Sequence, residues 1–307
     1  MLPVLILSGP TASGKSDLAL ALARRVGGEV VNADSMQVYG ALRVLTARPE
    51  APGDVAHHLY GHVGGHVEAG TRYSAGRYAE EAAGVIAALR ARGRVPVVVG
   101  GTGLYLRALT EGLSAGPVVA PAAEARATAL FAADPAAARA ALVARDPKAA
   151  ALRPSDTARH VRRMAVLAAT GRTLTAWQAA PGAPPVPGPV RGAVLCPPRD
   201  ALYARIDARA ARDFAASAEE VVALMEGGLP GGALGGPLGR ALGVRPIAAM
   251  LRGEMAAAEA LAAMQRDTRR YAKRQLTWLR GQTAWPWFED AGRALAYLAA
   301  GVTDSSA

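Results

Sequence analysis

The sequence predicts an α/β fold, a parallel-sheet core flanked by helices and interrupted by an all-helical insertion. Three observations carry that reading. Val4-Leu5-Ile6-Leu7, Val30-Val31 and Val95 to Val99 are short continuous apolar runs, the mark of strands buried on both faces of a parallel sheet. Helical stretches alternate with them, from about Ser16 to Val26 and from Tyr78 to Arg92. From Pro121 to about Gly171 the chain is alanine-rich and helical, with no strand-like run.

In chain order, Gly27-Gly28 stops the first helix and Gly93 the second, and the third apolar run ends at Gly100-Gly101. Pro135, Pro147 and Pro154 break the insertion into separate helices. Ala180 to Pro189, APGAPPVPGP, reads as a stiff extended connection. Ala193 to Cys196 returns as a strand. A helix from about Arg199 to Met225, a mobile glycine-rich stretch from Gly227 to Gly236 and a last strong helix from about Ala256 to Arg280 follow. The domain boundaries drawn this way are 1–117 for the first part of the core, 118–189 for the insertion and 190–307 for the second part of the core.

Composition bounds what such a chain can be. Of 307 residues, 51% are hydrophobic and 20% charged, which excludes a disordered chain. A single cysteine, Cys196, excludes an internal disulfide framework and a cysteine-cluster metal site. No apolar run reaches the ~20 residues of a membrane span, and no basic segment precedes the short apolar N-terminal stretch, so a cytoplasmic protein without membrane contact is expected. Lys plus Arg number 35 against 25 acids, a net charge of +10, and only Lys15, Lys148 and Lys273 are lysines. Either composition bias toward Ala, Gly and Arg or a polyanionic partner accounts for this. No basic amphipathic end segment exists, which favours nucleic acid over a membrane surface.

Gly9, Pro10, Thr11, Ala12, Ser13, Gly14, Lys15 and Ser16 match G-x-x-x-x-G-K-[ST] between a buried strand and a helix, the context this phosphate-binding loop requires. Its glycines let backbone N–H groups turn toward phosphate oxygens at the positive end of the helix. Lys15 adds a point charge, and the Ser16 hydroxyl can hold Mg²⁺. An ordinary nucleotide hydrolase ends a neighbouring strand in an aspartate. Here Val95 to Val99 runs into Gly100-Gly101-Thr102, so a diphosphate carried by another molecule is open, as is a small-molecule kinase. Asp34, after the second strand, falls on the same rim as the loop and Thr102. It can bind Mg²⁺, act as a general base, or cap a turn. Ser35 and Gln37 beside it carry groups able to read a base edge.

GPTASGKS, VNADSMQVY, VVVGGTGLYLRAL and TRRYAKRQLTWLR occur in this order over nearly the whole chain. Together they resemble the tRNA dimethylallyltransferase family. The resemblance implies a P-loop-type core with a helical insertion that grips the anticodon stem-loop of tRNA. It implies transfer of dimethylallyl from dimethylallyl diphosphate to the exocyclic amine of the adenosine on the 3′ side of the anticodon. The tRNAs would be those reading codons that begin with uridine. Mg²⁺ would be required, and the enzyme is expected to be a monomer.

By the same resemblance Asp34 is the general base and Thr102 sits near the reacting adenine. Lys15 and the loop would neutralise the leaving diphosphate. The implied tRNA-facing positions are Asp34, Ser35, Met36, Gln37, Thr102, Arg126, then Ala158, Arg159, His160, Val161 and Arg162, then Gly239, Arg240, Ala241, Leu242, Gly243 and Val244. Arg159, Arg162 and Arg163 have the i, i+3, i+4 spacing of one basic helix face. Val244 stands where the family commonly has an aromatic residue, and Arg48 where it has a lysine. Arg266, Arg269, Arg270, Lys273, Arg274 and Arg280 make the last helix basic and able to face diphosphate or tRNA, with Tyr271 and Trp278 among them read as core sooner than as base-stacking platforms. His57, His58, His62 and His66 lack an acid or cysteine that would complete a metal-ligand set.

Overall fold

The computed structural model describes residues 1–50, 53–64, 73–114, 116–117, 119–180, 182–226 and 236–303. The elements of its core are β1 (Val4–Ser8), α1 (Lys15–Val26), β2 (Gly28–Asn32), β3 (His57–His58), α2 (Ala75–Ala91), β4 (Val95–Gly100) and α3 (Gly103–Thr110). The chain then passes through α4 (Pro121–Ala133), α5 (Pro135–Arg145), α6 (Thr157–Thr170) and α7 (Leu174–Gln178). It returns as β5 (Val190–Leu195), α8 (Arg199–Glu226), α9 (Val244–Leu251), α10 (Ala257–Gln282), β6 (Trp287–Phe288) and α11 (Ala291–Thr303).

The six strands form one sheet in the order β3-β2-β4-β1-β5-β6. Every pairing in it is parallel. All residues of β1, β2 and β4 are buried, which is why they lack the apolar–polar alternation of a one-sided strand. Leu5, Leu7, Val97 and Val99 turn to the side packed by Leu18 and Leu22 of α1 and Leu298 of α11. Ile6, Val31 and Val98 turn to the other, against Tyr78 and Ile86 of α2 and Leu106 of α3. The edge strands β3 and β6 are two residues each and carry no apolar run, so sequence pattern does not show them. Helices α3, α9 and α11 likewise fall outside the sequence reading. In α11 the only strong cue is the i, i+4 pair Ala294 and Leu298, both fully buried.

Contacts divide the chain into two compact units, 1–110 with 185–307, and 111–184. The boundaries drawn from composition, 118 and 189, each fall a few residues late. Val186 is core of the first unit, and Pro189 accepts a hydrogen bond from the Val4 N–H at 2.9 Å. Within the second unit Pro121, Pro135 and Pro147 open helical segments, where a missing N–H costs nothing. Ala127 and Phe131 of α4 pack on Val161 and Ala165 of α6. The buried Asp146 carboxylate pairs with Arg163 and accepts from the Thr175 hydroxyl at 2.6 Å, tying α6 to α7. Gly227 to Gly235 of the stretch read as mobile lie outside the described residues.

Candidate active site

Because the strands run parallel, the loops leaving β1, β2 and β4 open on one rim. The first is the phosphate loop. Gly9 sits at φ 151°, and a Cβ there would lie 2.2 Å from the Leu195 carbonyl oxygen, so only glycine fits. Lys15 is folded back into the loop: its Nζ donates to the Pro10 carbonyl at 2.5 Å and reaches Ser13 Oγ at 3.5 Å. Burial pushes its ammonium down to about 8, against the pull of the Asp34 carboxylate and with the push of the Arg209 guanidinium. Ser16, in the first turn of α1, is exposed.

Two helices from the C-terminal half close on this loop. Arg209 of α8 donates to Thr11 Oγ1 at 2.9 Å, and Arg205 reaches the Ser13 carbonyl at 3.4 Å. Gln275 of α10 accepts from the Thr11 N–H at 2.9 Å. Desolvation lowers the Arg209 guanidinium, with Asp213 and Asp34 opposing it.

The second loop is built around Asp34. Asn32 holds it from below, accepting from the Asp34 N–H at 2.8 Å and donating to the Asp34 and Leu59 carbonyls at 3.0 and 2.9 Å. Asp34 Oδ1 accepts from the Met36 N–H at 2.8 Å, so the carboxylate does cap a turn. Oδ2 takes no part in that cap. The third loop joins here: Thr102 Oγ1 accepts from the Ser35 N–H at 2.9 Å and reaches Ser35 Oγ at 3.3 Å. Thr11, Asp34, Ser35, Arg209, Tyr271 and Arg274 then share the lining of one cavity of about 240 Å³, together with apolar Met36, Leu45, Ile206 and Met264. Burial and the Asp34 charge push the Tyr271 phenol above its ordinary range.

Several expectations change. Gln37 does not line the cavity; its amide donates to the Thr46 and Ala47 carbonyls, both at 3.0 Å, and braces that loop. Arg240, Ala241 and Leu242 line the cavity, whereas Gly239, Gly243 and Val244 are buried, Val244 as core at the start of α9. No stacking platform exists at that position. Of the α10 cations only Arg274 lines the cavity. Arg269 pairs with Asp207 of α8, Arg280 covers the Trp287 ring at 5.2 Å, and Arg266 and Arg270 pair with Asp267 at the surface. Tyr271, read as core, lines the cavity as well.

In the second unit, Arg126 of α4 and Ala158 and Arg159 of α6 are exposed, and Arg159 pairs with Asp156 at 2.5 Å. Arg162 is half-buried and donates to the Pro117 carbonyl at 3.0 Å. His160 and Val161 are buried, His160 stacked on Phe131 at 5.1 Å between ring centroids, so their side chains are core and not an RNA-facing surface. The basic face expected of Arg159, Arg162 and Arg163 is not formed, because Arg163 turns inward to Asp146. His58 pairs with Glu29 and His62 with Glu81. Among the described residues no cluster of three or more His, Cys, Asp or Glu side chains can hold a metal. His66 lies outside the described residues.

An IPP transferase family model matches residues 37–282, and an isopentenyl transferase model matches residues 2–54. The tRNA dimethylallyltransferase of Rhodospirillum centenum is 52% identical over 288 residues, 92% of this chain and 90% of that protein. The chain belongs to the tRNA dimethylallyltransferase family. The relative from Maricaulis maris is 45% identical over 92% of each chain. Among solved structures, the full-length tRNA isopentenylpyrophosphate transferase of Bacillus halodurans superposes with a TM-score of 0.68 at 28% identity, over 100% of this chain and 98% of that one. A eukaryotic dimethylallyltransferase acting on tRNA gives 0.71 at 25% identity, over 91% and 70%. Of the groups packed on the phosphate loop, Arg209 and Gln275 carry no motif of their own. Gln275 stands inside TRRYAKRQLTWLR without a spacing to mark it, and Arg209 is one of several arginines on an alanine-rich helix.

Proposed function

We propose that this protein transfers the dimethylallyl group of dimethylallyl diphosphate to the exocyclic amine of the adenosine adjacent to the anticodon on its 3′ side, in tRNAs reading codons that begin with uridine. The observation that carries the reading is the placement of the Asp34 carboxylate and the phosphate loop on one rim around one cavity. The adenine amine attacks the allylic carbon bonded to the diphosphate oxygen. An N–C bond is made, the C–O bond to the diphosphate is broken, and the amine proton passes to Asp34. Negative charge gathers on the departing diphosphate. Loop N–H groups, Lys15 released from Pro10, and Arg209 stabilise it. Thr102 holds the Ser35 N–H and keeps the Asp34 turn in place. The adenine leaves its stack to enter the cavity, at a cost of a few kcal/mol that contacts elsewhere on the tRNA offset.

Ser16 offers an exposed hydroxyl beside the loop, and among the described residues no group of three or more His, Cys, Asp or Glu side chains could cage an ion, so a Mg²⁺ would depend on substrate oxygens as well. Held by Ser16 and diphosphate oxygens, the ion would supply further neutralisation of the leaving group. No described helix is long and apolar enough to cross a membrane. The enzyme would act as a monomer where tRNA is, in the cytoplasm. The rival kinase reading lacks its strand-end acid, since β4 ends in Gly100 and leads to Thr102. Labelled dimethylallyl diphosphate with unmodified tRNA should give labelled adenosine on nuclease digestion. Label moving instead from ATP to a small alcohol would decide for the kinase. Nucleoside analysis of individual tRNAs checks the codon class.

A further inference from the structure

We infer that Gln275 is a positioning residue that locks the phosphate loop to the Gly101-Thr102 turn and thereby sets the distance between the diphosphate and the acceptor amine. This rests on the transfer reaction proposed above. Gln275 is 6% exposed. Its two amide ends face the two halves of the site. Oε1 accepts from the Thr11 N–H of the loop at 2.9 Å, and Nε2 donates to the Gly101 carbonyl after β4 at 3.0 Å. The fit around it is tight: a Cβ on Gly101 would lie 2.1 Å from Nε2. Gly101 leads directly into Thr102, whose Oγ1 accepts from the Ser35 N–H next to Asp34 at 2.9 Å. A continuous chain of polar contacts therefore runs from the phosphate loop through one α10 side chain to the turn that carries the base.

Neither end of Gln275 points at a reacting atom, so it acts through the groups it holds. Its chemistry is also specific, since one side chain must accept at one end and donate at the other. Asparagine is too short to span both partners, and aspartate or glutamate loses the donor when ionised. Displacing a reacting group by about 1 Å can cost 10²-fold in rate.

The decisive variant is Gln275→Glu. A neutral carboxylic acid has the shape of the amide and can donate to the Gly101 carbonyl while accepting from Thr11. The carboxylate sets an oxygen against the carbonyl. With dimethylallyl diphosphate and tRNA, kcat at pH 8 should fall at least tenfold with the tRNA KM within twofold of the parent. The ratio of variant to parent kcat should rise as pH falls and the glutamate takes up its proton. A ratio constant with pH, or equal to one throughout, overturns the inference. Gln275→Leu, which cannot ionise, covers a glutamate variant that does not fold. It should lose kcat by tenfold or more with the tRNA KM held, and a raised tRNA KM at full kcat would overturn the inference. A parent enzyme that transfers no dimethylallyl refutes the reaction itself, which the parent arm of the assay reports separately.

Discussion

Under the proposed reaction Asp34 has two duties, capping its turn and taking the amine proton. Oδ1 caps the turn through the Met36 N–H, a duty an asparagine oxygen performs equally well. Proton acceptance belongs to the carboxylate alone. Asp34→Asn should therefore keep the turn and tRNA affinity by filter binding, while kcat drops roughly 10²–10⁴-fold, the range for a lost general base. Unchanged turnover would remove the base from the mechanism. Lys15 supplies a second test at this scale. Its ammonium, lowered to about 8 by burial, is charged below that pH and neutral above it in the ligand-free enzyme. The KM for dimethylallyl diphosphate should rise as pH passes upward through about 8, and Lys15→Arg should erase that break. For folding the sign is opposite. The unfolded chain holds its proton up to the ordinary lysine value of 10.5 while the folded one releases it near 8. The unfolded state then binds more protons across that window, and Lys15 contributes stability that grows as pH rises through it. Denaturant titrations of the parent and Lys15→Met across that window measure the difference. Both residues are legible in the sequence because a strand, a glycine loop and an acid after the next strand are local patterns. Arg209 is not, because what selects it is the position of α8 over Thr11, a tertiary fact.

Elements show the same division. The strands β1, β2 and β4 announce themselves because burial on both faces forces continuous apolar runs. The insertion helices announce only that they are helical. Which of their arginines are surface and which are structure depends on partners distant in sequence, and equal i, i+3, i+4 spacing hides a difference between Arg159 and Arg163. Arg159 is 73% exposed at its side chain and Arg163 13%, with Asp146 beneath the latter at 2%. Removing one member of a buried pair strands the other, at a cost of about 3–5 kcal/mol. Arg163→Met should thus loosen α6 against α7 and open the second unit to limited proteolysis, while Arg159→Ala leaves cleavage unchanged and weakens tRNA binding modestly. Equal protease resistance in Arg163→Met and the parent would show that the pair is not what holds these helices.

At the scale of the whole molecule, the chain leaves its sheet after α3 and rejoins it at β5 with a compact helical unit between. The two ends of that unit touch backbone to backbone. A Cβ on Gly112 would lie 2.2 Å from the Ala183 carbonyl oxygen, and one on Gly182 2.3 Å from that of Leu113. Side chains cannot be accommodated there, so the neck is as narrow as two peptide strands allow. A neck this narrow means the unit can be excised without stretching what remains. Replacing residues 111–184 by a short Gly-Ser linker should leave the sheet, the phosphate loop and the cavity intact, since every residue lining that cavity lies outside the excised span. Dimethylallyl diphosphate should still raise the melting temperature of the shortened protein, because a ligand that binds only the folded state stabilises it by mass action. Affinity for tRNA should fall at least tenfold, and the slope of log K against log salt should shrink as phosphate contacts from Arg126 and Arg159 disappear. Undiminished tRNA affinity with an unchanged salt slope would mean that the arginines of the insertion only face solvent. Affinity for tRNA would then have to come from elsewhere, with the Arg240 and Arg274 side of the cavity the next surface to test.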